Sequence, residues 1–99
     1  MLVTGASSGI GEAIARQAGE SGATIAVHYN RNEKRARELA DSIGNGSDCF
    51  QADLEEPSNA ALLFGSVVEK MGKVDALVNN AGIFFDSPVA IGSDEWLEH

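Results

Sequence analysis

Cysteine is almost missing from this sequence: Cys49 stands alone, so no disulfide can close within the chain. That usage fits a reducing, cytoplasmic setting. Basic residues are also few, seven Lys and Arg against fifteen Asp and Glu, for a net charge of −8. Such a balance argues against nucleic acid or an anionic membrane as partner, since both reward clustered positive charge. It leaves a phosphate-bearing small molecule open, because backbone N–H groups at a helix end can hold phosphate whatever the net charge. No apolar run approaches the ~18 residues of a membrane span, and Met1-Leu2-Val3-Thr4-Gly5 lacks the basic flank of a signal peptide. Repeats, linkers and low-complexity tracts are absent as well. What remains is 99 residues, 43% hydrophobic and 22% charged, the make-up of one globular domain at most.

Within that frame, short apolar runs alternate with amphipathic stretches. Leu2-Val3 reads as a strand stub, followed at once by Thr4-Gly5-Ala6-Ser7-Ser8-Gly9-Ile10-Gly11. A helix carrying Ile10, Ile14 and Ala18 on one face then runs to a stop near Gly22. Thr24 to Tyr29 is rich in β-branched residues and reads as a second strand. Arg35 to Ile43 spaces Ala36, Leu39, Ala40 and Ile43 as a second helix, which Gly44-Asn45-Gly46 breaks. Cys49 to Ala52 is a third strand. Pro57 opens a third helix with Ala60, Phe64, Val67, Val68 and Met71 expected on its inner face, and Gly72 closes it. Ala76-Leu77-Val78 is a fourth strand running into Asn79-Asn80-Ala81-Gly82, and Ser93-Asp94-Glu95 with Trp96 begins another helix. This β-α alternation demands a parallel sheet with crossover helices. The expected fold class is α/β, a Rossmann-like parallel sheet of about four strands with flanking helices.

The glycine-rich segment lies between a strand and a helix, the context in which such a motif has meaning. Gly5 suits the tight turn that ends the strand. Gly9, lacking a side chain, lets the helix N-terminus approach a pyrophosphate, and Gly11 lets the helix lie close to the sheet. Ser7 and Ser8 add hydroxyl donors. Alone, the segment is equally compatible with a plain glycine-rich turn.

The spacing is Gly-x-x-x-Gly-x-Gly, and Asn79-Asn80-Ala81-Gly82 closes the fourth strand. With Thr4 and the lengths between elements, these motifs resemble the short-chain dehydrogenase/reductase family over essentially all 99 residues. The resemblance implies a strand order of 3-2-1-4 and a partial dinucleotide-binding (Rossmann) domain over residues 1–99. It also implies cofactor contacts from Gly5, Ser7, Ser8, Gly9, Ile10 and Gly11. At the second strand's end stands Tyr29-Asn30-Arg31-Asn32, with no carboxylate where NAD-preferring members place one. An arginine there accommodates a 2′-phosphate, so Asn30 and Arg31 point to NADP over NAD; a solvated surface arginine is the plainer alternative. Asp53 and Leu54 sit where the family contacts adenine, although an Asp before a helix also serves as a cap. Asn80, Ala81 and Gly82 are expected to line the cofactor ribose, with one amide of the Asn pair bracing the strands. His28, with no Cys or His at metal spacing, is not expected to be a ligand, and Glu33 to Glu38 is expected to be a solvated helix face.

The family's chemistry uses a tyrosine, a lysine and a serine. The single tyrosine, Tyr29, is followed four residues on by Glu33, not by the lysine of Tyr-x-x-x-Lys. No catalytic residue is therefore assigned within these 99 residues. The chain is expected to be the amino-terminal, cofactor-binding part of an oxidoreductase acting on a small-molecule carbonyl or secondary alcohol, similar to 3-oxoacyl-carrier-protein reductases. The resemblance implies a homo-oligomeric parent. A non-catalytic nucleotide-binding fragment, or a truncated product without activity, is the alternative. The fourth strand should form a sheet edge, and Ala18 and Gly19 should weaken the packing of the first helix.

Overall fold

The computed structural model describes residues 1–6 and 9–80. Four parallel strands, β1 (Leu2–Thr4), β2 (Ala26–Tyr29), β3 (Asp48–Gln51) and β4 (Leu77–Asn79), lie in the order β3-β2-β1-β4. Helices α1 (Gly9–Glu20), α2 (Glu33–Ile43) and α3 (Ser58–Met71) connect them. Leu2 pairs with both Ala26 and Leu77, and Val3 with both Val27 and Val78, so β1 is hydrogen-bonded on both sides. Among the described residues β4 is an edge strand, as expected, and no helix is long and apolar enough to cross a membrane.

Alternation along the strands splits the core in two. Val3, Val27, Tyr29 and Val78 face Ala15, Ala36, Leu39 and Ala40 of α1 and α2. Leu2, Ala26, Phe50 and Leu77 face Leu63 and Val67 of α3. The central strands are therefore covered on both faces, and Leu2, Val3, Ala26 and Val27 have no exposed surface. Such double coverage explains why β1 and β2 read as apolar runs.

The helix positions correct the sequence reading in three ways. In α1 the fully buried residues are Gly11, Ala15 and Gly19, with Ile14 and Ala18 flanking them, whereas Ile10 is 71% exposed. The helix lies so close to its neighbours that only the smallest residues fit. A Cβ on Gly19 would come within 2.5 Å of Ile43 Cγ2, so Gly19 is a contact point and not a weak spot. In α3 the inner face turns on Leu63, 2% exposed, while Val68 is 44% exposed; Ala60, Phe64 and Met71 pack beside it as expected. Lastly, α2 starts at Glu33, two residues before the expected Arg35, because the Asn32 side chain accepts the Arg35 N–H at 3.2 Å and caps the helix.

The charged run on α2 is exposed, but two of its members cross to other elements. Arg35 pairs with Glu12 of α1 at 2.7 Å, and Arg37 with Asp48 of β3 at 3.0 Å. Lys70 of α3 also pairs with Asp48, joining the two faces at one carboxylate. The Lys70 hydrogen bond and the neighbouring cations hold Asp48 below its ordinary carboxylate range.

Replacing Leu63 by Ala should cost about 2–5 kcal/mol, the usual range for emptying a buried leucine site. Val68→Ala should cost no more than about 0.5 kcal/mol, as expected of a surface position. Urea unfolding of the full-length polypeptide carrying this chain checks the pair; equal costs would return Val68 to the core.

Candidate functional site

Four chain segments leave the sheet at the carboxyl ends of the strands: Gly5 after β1, Asn30 and Arg31 after β2, Asp53 after β3 and Asn80 after β4. In a parallel sheet this edge is where ligands bind, at the point where the strand order reverses. Here the reversal is at β1, since β2 lies on one side of it and β4 on the other.

Local chemistry fixes the first turn. Gly5 and Gly9 take φ of +62° and +48°, backbone angles that suit glycine. The space a Cβ would fill at Gly9 is open, with nothing within 4 Å. Gly11 is the opposite case. A Cβ there would strike the Gly5 carbonyl oxygen and lie 2.8 Å from the Asn80 amide nitrogen. One glycine thus leaves the start of α1 open among the described residues, and the other lets the helix seat. Ile10 stands exposed between them.

Side-chain hydrogen bonds lace the strand ends together. The fully buried Thr4 hydroxyl lies 3.2 Å from Asn79 Oδ1 and 3.4 Å from the Val78 carbonyl oxygen. Asn80 Nδ2 donates to the Gly5 carbonyl at 3.3 Å. Both asparagines therefore brace β1 against β4, where one was expected. On the other side of β1, His28 Nδ1 accepts the Gly5 N–H at 2.9 Å and Nε2 lies 2.8 Å from the Ala52 carbonyl. Because Gly5 must donate, the ring proton sits on Nε2 and is donated to Ala52. Burial pushes the His28 imidazole below its ordinary value, and the Ala52 carbonyl opposes that shift.

Asn30 and Arg31 are both exposed. Gln51 Nε2 donates to the Asn30 carbonyl at 3.2 Å and steadies this bend. Arg31 has no ion pair or hydrogen bond among the described residues, while Arg16, Arg35 and Arg37 are committed to carboxylates. Asp53 is exposed, and its Oδ1 accepts the Glu55 N–H at 3.0 Å, which makes it a turn former as well as a candidate contact. Leu54 is 4% exposed and packs in the α3-side core, so it can offer a ligand its backbone only. Ser7, Ser8, Ala81 and Gly82 lie outside the described residues, as do Ser93 to Trp96.

Glu12 occupies the first turn of α1, where a carboxylate would oppose a bound anion. Its charge is balanced by Arg16 at 3.0 Å and Arg35 at 2.7 Å. The Arg16 hydrogen bond leads in holding its carboxyl below the ordinary value.

The sequence assigned no bracing role to His28, read only as a non-ligand, to Thr4, read only as part of the glycine motif, or to Gln51. A polar residue inside an otherwise apolar, fully buried strand was the available signal for His28. Thr4 and Gln51 act through partners distant in sequence and gave none.

The whole-chain pattern matches the short chain dehydrogenase family over residues 1–98. The chain belongs to the short-chain dehydrogenase/reductase family. It is 38% identical over 99% of its length to a 3β-hydroxysteroid dehydrogenase of Mediterraneibacter gnavus, of which it spans 37%. It is 40% identical over 87% of its length to the 3-oxoacyl-[acyl-carrier-protein] reductase FabG of Staphylococcus aureus, of which it spans 36%. Among solved structures, a short-chain dehydrogenase of Burkholderia cenocepacia in complex with NADP superposes with a TM-score of 0.75 at 39% identity, over 88% of this chain and 36% of that one. The chain thus spans little more than a third of these short-chain dehydrogenase relatives, and its sheet order is the 3-2-1-4 of the Rossmann fold.

Two glycine substitutions should have opposite signs. Gly11→Ala should destabilise by about 1–3 kcal/mol, the cost of overpacking a close contact. Gly65→Ala, in α3 with nothing within 4 Å of its Cβ position, should stabilise by about 0.5–1 kcal/mol by restricting the unfolded chain. Thermal unfolding of the two variants decides; a neutral Gly11→Ala would remove the close approach of α1 from the account.

Proposed function

We propose that this chain binds the adenine, ribose and pyrophosphate of NADP(H) within an oxidoreductase that interconverts a carbonyl and a secondary alcohol. The observation that carries this reading is the open backbone at Gly9, where α1 begins at the carboxyl edge of a parallel sheet. A helix N-terminus with free N–H groups and, among the described residues, nothing within 4 Å of its first Cβ position fits a pyrophosphate. We assign Gly5, Ser7, Ser8, Gly9, Ile10 and Gly11 to the pyrophosphate and its ribose. Asp53 and the Leu54 backbone take the adenine, and Asn80, Ala81 and Gly82 line the second ribose.

Arg31, with Asn30 beside it, is assigned to the 2′-phosphate. It is exposed and uncommitted, and no carboxylate stands beside it to accept an unphosphorylated ribose. The NADP held by the Burkholderia relative supports the same choice. When bound, the nicotinamide supplies or accepts the hydride. The described residues of this chain hold the other end of the molecule, and their contribution is position: a braced turn, an open helix start and one placed guanidinium. The acid/base groups belong to the remainder of a homo-oligomeric, cytoplasmic parent enzyme. The names of the relatives, a steroid dehydrogenase and an acyl-carrier-protein reductase, share only carbonyl–alcohol chemistry, and the proposal stops at that class.

Fluorescence titration of the full-length polypeptide with NADPH and NADH tests the assignment. NADPH should bind more tightly. Arg31→Ala should weaken NADPH about 10- to 100-fold, the span of a hydrogen bond to a charged group, and leave NADH within about threefold. Tighter NADH binding would remove the NADP assignment, and binding of neither would leave the alternative of an inactive fragment.

A further inference from the structure

His28 is the one buried side chain whose polar atoms reach two different strand ends of the site among the described residues. It is 4% exposed. Its Nδ1 accepts the Gly5 N–H at 2.9 Å, and its own backbone carbonyl accepts the next amide of the same turn, Ala6 N–H, at 3.1 Å. Its Nε2–H donates to the Ala52 carbonyl at 2.8 Å. Ala52 directly precedes Asp53 and gives its own N–H to the Tyr29 carbonyl at 3.1 Å. Two consecutive amides of the glycine turn and the last residue before Asp53 are therefore fixed to one segment of β2.

We propose that His28 is a positioning residue of the nucleotide site, an imidazole clasp that locks the glycine turn after β1 to the end of β3. This rests on the dinucleotide-binding reading above. The clasp sets the separation between the groups assigned to the pyrophosphate and those assigned to the adenine, and it touches neither the pyrophosphate nor the adenine itself. It works only with a neutral ring. A second proton on Nδ1 would face the Gly5 N–H, donor against donor, and the turn would have to leave its place.

The groups facing His28 are its register partner Phe50 on β3, Gly5 after β1 and Ala52 after β3, none of which titrates. Asp53 adjoins Ala52 but is exposed, and on the α3 side the facing residues are the apolar Leu63 and Val67. No charged side chain among the described residues contributes to the shift of the imidazole; burial lowers it and the Ala52 hydrogen bond raises it. The sign follows. The clasp is complete above the ordinary histidine value of 6.5 and is lost as pH falls through the lower value of the folded protein.

The test is NADPH affinity of the full-length polypeptide for wild type, His28→Asn and His28→Gln, measured from pH 7.5 down through the pH at which NMR shows the His28 ring taking up its second proton. An asparagine places its amide oxygen where Nδ1 stands, keeping the Gly5 contact without a titrating group. A glutamine places its amide nitrogen nearer Ala52 and leaves the Gly5 N–H without its acceptor. At pH 7.5, His28→Gln, which loses the Gly5 bond, and His28→Asn, which loses the Ala52 bond, should each bind about tenfold more weakly than wild type, the effect of one lost buried hydrogen bond. On acidification the wild type should lose several-fold more affinity than His28→Asn. The 2′-phosphate itself titrates near pH ~6, but equally for both proteins, so the difference belongs to His28. Parallel pH curves for wild type and His28→Asn, or a His28→Gln that binds like wild type, would overturn the clasp while leaving the function intact. A wild type that binds no dinucleotide at any pH would overturn the function and the clasp together.

Discussion

The approach of α1 to the ends of β1 and β4 is the constraint on which the rest of this structure depends. Gly11 lies against the Gly5 carbonyl and the Asn80 amide with no room for a Cβ. That contact sets where α1 begins, and so where its free N–H groups point. On either side of the turn, Gly5 and Gly9 hold positive backbone angles, which suit glycine. Farther along the same helix, Gly19 repeats the device against Ile43 and draws α2 in. A larger residue at either place would lift α1 from the sheet and move the helix start with it.

Apolar burial and polar lacing then divide the labour by position. The middle of β1 and β2 is sealed on both faces by aliphatic residues, which supply non-directional stabilisation proportional to buried area. The carboxyl ends are aligned by directional bonds instead: Thr4 with Asn79, Asn80 with Gly5, His28 with Gly5 and Ala52. Each satisfies a group that close packing would otherwise strand, and an unpaired buried amide costs more than a made hydrogen bond contributes. The ion pairs of Arg35, Arg37 and Lys70 lie at the half-exposed margin, where water and salt reduce their worth. They tie α2 to α1 and both α2 and α3 to the start of β3, and do not supply the bulk of the fold's stability.

This division explains what could be read from the sequence. Element order and sheet type were legible because they follow from periodicity and punctuation, as with the apolar run at Ala26–Val27 and the break at Gly44. The α1 face was not, because hydrophobicity favours Ile10 and Ile14 while the packing selects Gly11, Ala15 and Gly19 for smallness. Leu63 and Val68 differ by little in pattern, and only the packing of α3 on the sheet, which buries one and leaves the other 44% exposed, separates them. Asn32 as a helix cap was visible in principle, since an Asn before a charged amphipathic run is a start signal. The glycine and Asn-Asn-Ala-Gly segments marked the edge of the candidate site. Its cross-strand bonds, from Thr4, Gln51 and His28, arise from register, and register is a property of paired strands that a single strand's sequence does not carry.

An acidic chain proposed to hold a polyanion poses an electrostatic question that local geometry answers. Charges farther away than about 8 Å are largely screened at physiological salt, so the net charge of −8 matters less than what lies beside the strand ends. There, Glu12 is compensated by Arg16 and Arg35, while at the opposite edge of the sheet, where β3 begins, Asp48 is compensated by Arg37 and Lys70. These carboxylates are cancelled where they stand. The pair on Glu12 occupies Arg16 and Arg35, and Arg31 stands exposed and unpaired among the described residues. A guanidinium without an internal partner gives up no ion pair when it meets phosphate, and its planar fork matches two phosphate oxygens. The same logic makes the surplus of acid useful: with few spare cations, an anion has few competing places to settle, and a site built from backbone N–H groups and one arginine discriminates by shape more than by charge.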